Sequence, residues 1–186
     1  DAQPADVLLA AIDLRGEYFK PYPYWNCSTS APAERLRGDL ELLVRIAGEG
    51  WCRAAKDISM GGVLGTALML LECSDVGAIV DLDAIPLPPG TSLDLWLRTF
   101  PSFGFLLSVA PAHVEPVRSL FAQRGIACAP IGTCTRERTL RVSRGAEEAL
   151  LWDLEREPFT GERAHKLRTI PKEIDCARDT VRRALA

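Results

Sequence analysis

The residues best suited to chemistry lie in one short turn, residues 57–62, with the sequence DISMGG. An apolar run precedes this turn and a long apolar segment follows it, which predicts a strand-to-helix junction. At such a junction the first helical amides lack partners within the helix, and they favour an anion. Asp57 could bind a metal ion or orient a hydroxyl group. Ser59 could cap the helix or bond a phosphate, and Gly61 and Gly62 would let a ligand approach the backbone closely. An ordinary helix start remains an equal alternative, because Asp and Ser are common N-caps.

A second candidate set lies in the loop that follows the first apolar segment. Residues 18–25 are aromatic and are interrupted by two prolines, which excludes a helix there. They lead into a polar run, residues 26–30, with the sequence NCSTS. Asn26 and Ser28 could line a ligand pocket beside the aromatic side chains. Alternatively, the polar run caps the next helix and the loop only covers the core.

Hydrophobic periodicity predicts the elements that position these residues. Strands are predicted at residues 6–14, 51–57, 77–82, 103–109, 126–131 and 139–143. Helices are predicted at residues 32–47, 61–73, 92–99, 111–123 and 146–155. This order predicts an α+β fold, with a mixed β-sheet and helices packed on its faces.

Composition limits the possible functions. The chain has 186 residues, enough for one domain with a full core, and its net charge of −3 gives no bulk attraction to nucleic acid. A helix that crosses a bilayer needs about 20 apolar residues. No apolar run in the sequence approaches this length, so no membrane partner is expected. The six cysteines form no CxxC pair, and a cysteine-held zinc ion is not expected. Cys52, Cys73 and Cys128 are predicted to be buried, and a reducing cytoplasm is the simplest location.

The two ends of the chain differ in character. Residue 1 is Asp rather than Met, which is typical of a processed protein or of a piece of a longer one. Residues 1–161 are predicted to form one domain, entered through a strand and the aromatic loop within residues 1–30. Residues 162–186 are net basic with an apolar stripe, which predicts an amphipathic helix that docks or binds a partner.

Two longer segments resemble a known family. They are AAKDISMGGVLGTALMLLECSDVGAIVDLDAIPLP and FGFLLSVAPAHVEPVRSLFAQRGIACAPIGTCTRERTLRV. Together they resemble the C-terminal domain of the AIR synthase (aminoimidazole ribonucleotide synthase, PurM-like) superfamily, over roughly residues 30–145. In detail, the sequence is most similar to the uncharacterised AIR-synthase-related subgroup.

The resemblance implies a PurM C-terminal-domain-like fold that is partly ferredoxin-like. It implies that an N-terminal ATP-binding domain is not in this chain, and that the full-length protein is a homodimer that uses ATP and Mg²⁺. The family reaction transfers or uses the ATP γ-phosphate to activate a small-molecule substrate. Asp57, Ser59, Gly61 and Gly62 would then face phosphates, with Asp57 near the Mg²⁺ of ATP. The isolated chain is expected to be inactive.

One residue departs from the family pattern. Met60 stands where many relatives have a polar, acidic or glycine residue, and a thioether is a poor ligand for Mg²⁺. No residue is assigned a catalytic role, and His113 is predicted to lie on the surface. The alternative function is therefore a non-catalytic ligand-binding or dimerisation module of the same fold.

Overall fold

The computed structural model describes residues 1–161, and the helix predicted for residues 162–186 lies outside the described residues. The strands are β1 (Val7–Ile12), β2 (Glu17–Tyr18), β3 (Tyr24–Asn26), β4 (Cys52–Asp57), β5 (Gly77–Asp81), β6 (Phe100–Pro101), β7 (Gly104–Val109), β8 (Ala127–Thr135), β9 (Thr139–Arg144) and β10 (Glu147–Asp153). The helices are α1 (Ala33–Gly48), α2 (Gly62–Ser74), α3 (Leu93–Leu97) and α4 (Val114–Gln123), with 3₁₀ turns at Leu82–Ala84 and Pro111–His113.

Seven strands form a mixed sheet in the order β10-β9-β5-β8-β1-β7-β4. Within it β5 and β9 run parallel, and the other neighbouring pairs are antiparallel. β2, β3 and β6 form a separate small sheet. The predicted α+β fold with a mixed sheet and packed helices is therefore confirmed.

The centre of the core is β1. Its residues Leu8, Leu9, Ala10, Ala11 and Ile12 all have 0% exposure. Because successive strand residues point to opposite faces, both faces of the sheet are covered at β1. At one edge of the sheet the burial pattern of β4 alternates between half-buried and exposed. The candidate turn follows this exposed edge strand.

Residues 146–155 do not form the predicted helix. They form β10, which pairs antiparallel with β9 across a turn containing Gly145 at φ 55°. The run AEEALL is rich in helix-forming residues, so its local preference is helical. Pairing with β9 overrides that preference because it provides hydrogen-bond partners for the backbone N–H and C=O groups of β9.

The cysteine prediction was also wrong in part. Cys52, Cys73 and Cys128 are only partly buried, whereas Cys27 and Cys134 are fully buried. Cys52 and Cys73 border open grooves beside the edge strand β4, which explains their residual exposure.

Candidate functional site

The turn joins β4 to α2 as the sequence predicts. β4 ends at Asp57, and the buried Ile58 donates its amide to the carbonyl oxygen of Gly104 at 2.8 Å. Helix α2 begins at Gly62, with Gly61 as its N-cap. The junction is thus fixed to β7 on one side and to the helix on the other.

Gly62 is required by its surroundings. Its φ is +65°, a region that side chains rarely adopt, and an added Cβ would lie 2.2 Å from the carbonyl oxygen of Leu97. No larger residue fits without moving the end of α3. Gly62 therefore lets the start of α2 lie directly against the backbone of Leu97. The sequence had predicted that a ligand, and not the protein's own backbone, would approach this glycine closely.

The free amides of the turn are not the ones expected after the two glycines. The Gly62 amide already donates to the Ser59 carbonyl at 2.8 Å. Within residues 1–161, the amides of Gly61, Val63 and Leu64 have no hydrogen-bond acceptor. These three N–H groups, at the positive end of a thirteen-residue helix, form the anion-favouring part of the turn.

Ser59 does not cap α2 with its side chain. The N-cap is Gly61, and no side-chain capping bond is made there. Instead the Ser59 amide donates to the hydroxyl of Thr66 at 3.3 Å, while its carbonyl accepts from Gly62. The backbone of Ser59 shapes the turn.

Asp57 and Met60 are the two exposed side chains of the turn. The Asp57 side chain is 63% exposed, and one of its oxygens accepts from Lys56 Nζ at 3.0 Å. Met60 is 81% exposed. Because the lysine neutralises Asp57, the carboxylate repels an incoming anion less than a free one would.

Asn26 and Ser28 make hydrogen bonds that stabilise the local conformation of the loop. Asn26 Oδ1 accepts from the Thr29 amide at 3.1 Å, which closes a turn. The amides of Cys27 and Ser28 both donate to Ser102 Oγ, at 2.9 and 3.0 Å. The polar run does not cap α1, whose N-cap is Pro32 without a side-chain bond.

One segment supports both candidate sets. Gly62 lies against Leu97, Ser102 holds the loop that contains Cys27, and Gly104 accepts from Ile58. Residues 97–104 therefore contact both the turn and the polar run that contains Cys27. Ser102 could not be singled out from the sequence, because a lone serine in a loop carries no pattern.

A buried ionic cluster, also missed from the sequence, anchors that loop. Asp13 and Asp39 are each 1% exposed. Arg35 Nη2 donates to Asp13 at 3.2 Å and to the Cys27 carbonyl at 2.7 Å. Arg124 Nε donates to Asp39 at 2.8 Å. Because isolated charges are costly to bury, these pairs are required once the aspartates are enclosed.

The Cys27 thiol beside this cluster is not an activated nucleophile. Burial raises its pKa, and its contact with the Ser102 hydroxyl at 3.3 Å only partly offsets that effect. The thiol is therefore protonated at neutral pH, and it packs as a small apolar group.

Glu72, near the end of α2, binds the last described residues. It is 1% exposed, and its carboxylate accepts from the amides of Phe159, Thr160 and Gly161 and from the Thr160 hydroxyl. Burial alone would raise its pKa, but the Thr160 hydroxyl and the three amides outweigh burial and lower it.

The described residues are suited to bind Mg²⁺ only when the ion is already bound to a phosphate ligand. Residues 1–161 contain no group of three His, Cys, Asp or Glu side chains that could hold a metal. Asp57 alone offers a carboxylate at the turn. One carboxylate suits Mg²⁺ that is bound mainly by phosphate oxygens and water.

Comparison with known proteins identifies the family. The family model described as AIR synthase related protein, C-terminal domain, matches residues 29–145, which include the turn. The chain belongs to this family. The Synechocystis sp. protein named uncharacterized protein sll0787 is 44% identical over 162 residues. The Methanocaldococcus jannaschii protein named uncharacterized protein MJ0640 is 30% identical over 162 residues. Each match covers 87% of this chain and 50% of the relative, so the chain spans half the length of both.

Solved structures share the fold. Thermotoga maritima PurL complexed with ATP has a TM-score of 0.69 at 16% identity, over 88% of this chain and 27% of PurL. PurL complexed with FGAR has a TM-score of 0.66 at 18% identity, over 82% of this chain and 27% of PurL. HypE in the HypE–HypF complex has a TM-score of 0.61 at 16% identity, over 82% of this chain and 54% of that chain. The predicted PurM-like fold is thus confirmed.

The described part of the chain contains no helix that could cross a membrane. Within residues 1–161, no helix combines the length and the hydropathy that a bilayer span requires.

Proposed function

We propose that this chain is the substrate-side half of an ATP-dependent enzyme that transfers or uses the γ-phosphate to activate a small molecule. The family membership and the likeness to ATP-complexed PurL support this proposal. The matches cover only half of each relative, which leaves room for a separate ATP-binding domain. In this proposal the complete protein is a cytoplasmic homodimer.

The proposal rests on the three amides of Gly61, Val63 and Leu64, which have no hydrogen-bond acceptor among residues 1–161. They would bind a phosphate group, since helix N-termini favour negative charge. Asp57 would orient the phosphate through Mg²⁺, which neutralises the charge of the phosphate. Asn26 and Ser28 would contribute to the substrate side through the loop that Ser102 holds.

The residues of this chain would act by positioning and by charge stabilisation. Backbone donors fixed on a helix need no reorganisation when charge develops on a transferred phosphoryl group. Gly62 holds these donors in place because the start of α2 lies directly against Leu97. No side chain of the turn is required as a general base in this account.

The test is ATP turnover by the complete, longer protein. Asp57→Asn should lower turnover by tenfold or more, since the carboxylate would no longer hold the metal–phosphate unit (tenfold corresponds to about 1.4 kcal/mol). Asp94→Asn is the matched control, because Asp94 lies on α3 with a side chain that is 84% exposed. The 186-residue chain alone should not turn over ATP at an enzymatic rate. Equal turnover by the two asparagine variants would contradict the proposed role of the turn.

A non-catalytic module of the same fold is the second candidate. The exposed Met60 favours it, because an apolar side chain that is 81% exposed at the turn suits a contact surface better than a metal site. A complete protein that binds ATP without any turnover would assign this second function.

A further inference from the structure

Three arginine side chains surround the carboxylate of Asp39, which is 1% exposed. Arg124 Nε lies 2.8 Å from Asp39 Oδ1, and Arg15 Nη2 lies 3.6 Å from Oδ2. Arg35 Nε lies 3.7 Å from the same Oδ2. Arg15 and Arg35 also contact the buried Asp13, at 2.8 and 3.2 Å. The loop after β1, helix α1 and the end of α4 therefore bring their guanidinium groups to one place.

Close packing against glycines orders two of these arginines. A Cβ atom on Gly38 would lie 2.8 Å from Arg124 Nη2, so the guanidinium occupies the space that a side chain would need. A Cβ atom on Gly125 would lie 3.4 Å from Arg15 Nη1. Arg124 Nη2 also donates to the carbonyl oxygen of Arg35 at 3.0 Å. Because these contacts restrict the arginine side chains, less conformational freedom is lost when a ligand binds.

Each arginine keeps hydrogen-bond donors that the cluster does not use. Within residues 1–161, the Nη1 atoms of Arg15, Arg35 and Arg124 donate to no acceptor. Asp39 Oδ2 likewise accepts no hydrogen bond from the described residues, so charge alone holds Arg15 and Arg35 near it. The three arginine side chains are 41%, 27% and 36% exposed, in chain order, so a ligand can reach them from solvent.

We propose that Arg15, Arg35 and Arg124 bind the carboxylate of a small-molecule ligand. Three arginines face two aspartates, so the cluster carries one net positive charge. A carboxylate neutralises that charge, whereas a phosphate group, with a charge of about −1.5 to −2 at pH 7, would leave the site negative. The planar guanidinium fork also matches the two oxygens of a carboxylate.

This carboxylate site lies at the same end of the sheet as the candidate turn. The Asp13 amide donates to the carbonyl oxygen of Phe103 at 3.1 Å, and the Ile58 amide donates to that of the next residue, Gly104. Arg35 also holds the carbonyl oxygen of Cys27 in the polar run. The site does not rest on the proposed function, because a carboxylate would bind here whether or not the complete protein uses ATP.

An NMR titration of the 186-residue chain with sodium acetate tests the carboxylate site, with sodium chloride at the same ionic strength as the reference. The Nε–Hε signals of Arg15, Arg35 and Arg124 should shift saturably with acetate but not with chloride. Affinity for this minimal probe should be on the order of millimolar or weaker. Inorganic phosphate at the same concentration should shift these signals less than acetate does.

A matched pair of variants separates the site from general electrostatic attraction. Arg15→Gln should weaken acetate binding roughly tenfold, because it removes one charge and one set of charged donors. This variant should fold, since Asp13 still accepts from Arg35 and from the amide of residue 15. Arg37→Gln loses the same charge from an exposed position on α1 that makes no ion pair with any described residue, and it should bind acetate as the wild type does. Arg15→Lys keeps the charge without the fork and should bind more weakly than the wild type.

Three results would overturn the proposal. The first is a wild-type titration without saturable acetate shifts at the three arginines, which would leave them with the role of neutralising the buried aspartates. The second is equal acetate binding by Arg15→Gln and Arg37→Gln. The third is a stronger response to phosphate than to acetate, which would assign the arginines to a phosphate group instead. Asp57→Asn should bind acetate as the wild type does, so failure at the arginines and failure at the turn are separate results.

Discussion

A Cβ atom on Gly62 would lie 2.2 Å from the carbonyl oxygen of Leu97, so the start of α2 touches the end of α3 with no room for a side chain. This contact sets the position of the amides that follow. It also makes Gly62→Val unsuitable as a test of ligand approach, because that variant would disturb the fold itself.

Gly62→Ala should destabilise the protein by about 3 kcal/mol, from the positive φ together with the collision. Gly48→Ala is the control, since nothing lies within 4 Å of its Cβ position and its φ is not in the positive range. That change should be neutral or stabilising by up to about 1 kcal/mol. Urea unfolding measures both. Equal losses of stability in the two variants would show that the contact with Leu97 does not restrict residue 62 to glycine.

Replacing Glu72 with Gln should make stability less dependent on pH. The folded-state pKa of Glu72 is lowered, so its contribution is present above the unfolded value of about 4.3 and is lost as pH falls through the folded value. At pH 7 we expect Glu72→Gln to cost about 1–3 kcal/mol. The stability gap to wild type should close as the solution is acidified below pH about 4. A gap that stays constant with pH would contradict this account. Glu115→Gln, in an exposed pair with Arg118, should show little effect.

Removing Arg124 should expose the cost of the buried cluster. Arg124→Met leaves Asp39, 1% exposed, with Arg15 at 3.6 Å and Arg35 at 3.7 Å as its remaining cations. Breaking a buried pair in this way costs about 3–5 kcal/mol, so a loss near 3 kcal/mol is expected in thermal unfolding. Arg98→Met removes an exposed pair with Asp94, and should cost less than about 1 kcal/mol. Similar losses in the two variants would mean that Asp39 is satisfied without Arg124.

The sequence was sufficient for most elements and for the position of the turn. Apolar runs on either side of the glycines predicted β4 and α2, although no residue of β4 is fully buried and α2 is buried on nearly all sides. Sequence periodicity failed for β10, where helix-forming residues are held in a strand by β9. It also missed β2, β3 and β6, since strands of two or three residues are too short to show a period.

The candidate site was predictable only in part. Residue types and spacing indicated an anion-favouring junction at residues 57–62, but not which amides are free. That depends on the Gly62–Ser59 bond and on the distant Leu97. The buried Asp13 and its partner Arg35 are 22 positions apart, and no local pattern connects them.

The proposed function depends on binding of a phosphate-bearing ligand to the turn. An NMR titration of the 186-residue chain with pyrophosphate, with and without Mg²⁺, measures this binding at each amide. Affinity should be weak, on the order of millimolar, because a few backbone donors act without the rest of the protein.

The largest chemical-shift changes should occur at the amides of Gly61, Val63 and Leu64. Mg²⁺ should strengthen binding to the wild-type chain and to the control Asp94→Asn, but not to Asp57→Asn. If the shifts cluster elsewhere, or if Asp57→Asn responds to Mg²⁺ as the wild type does, the turn is an ordinary helix start and not a phosphate site.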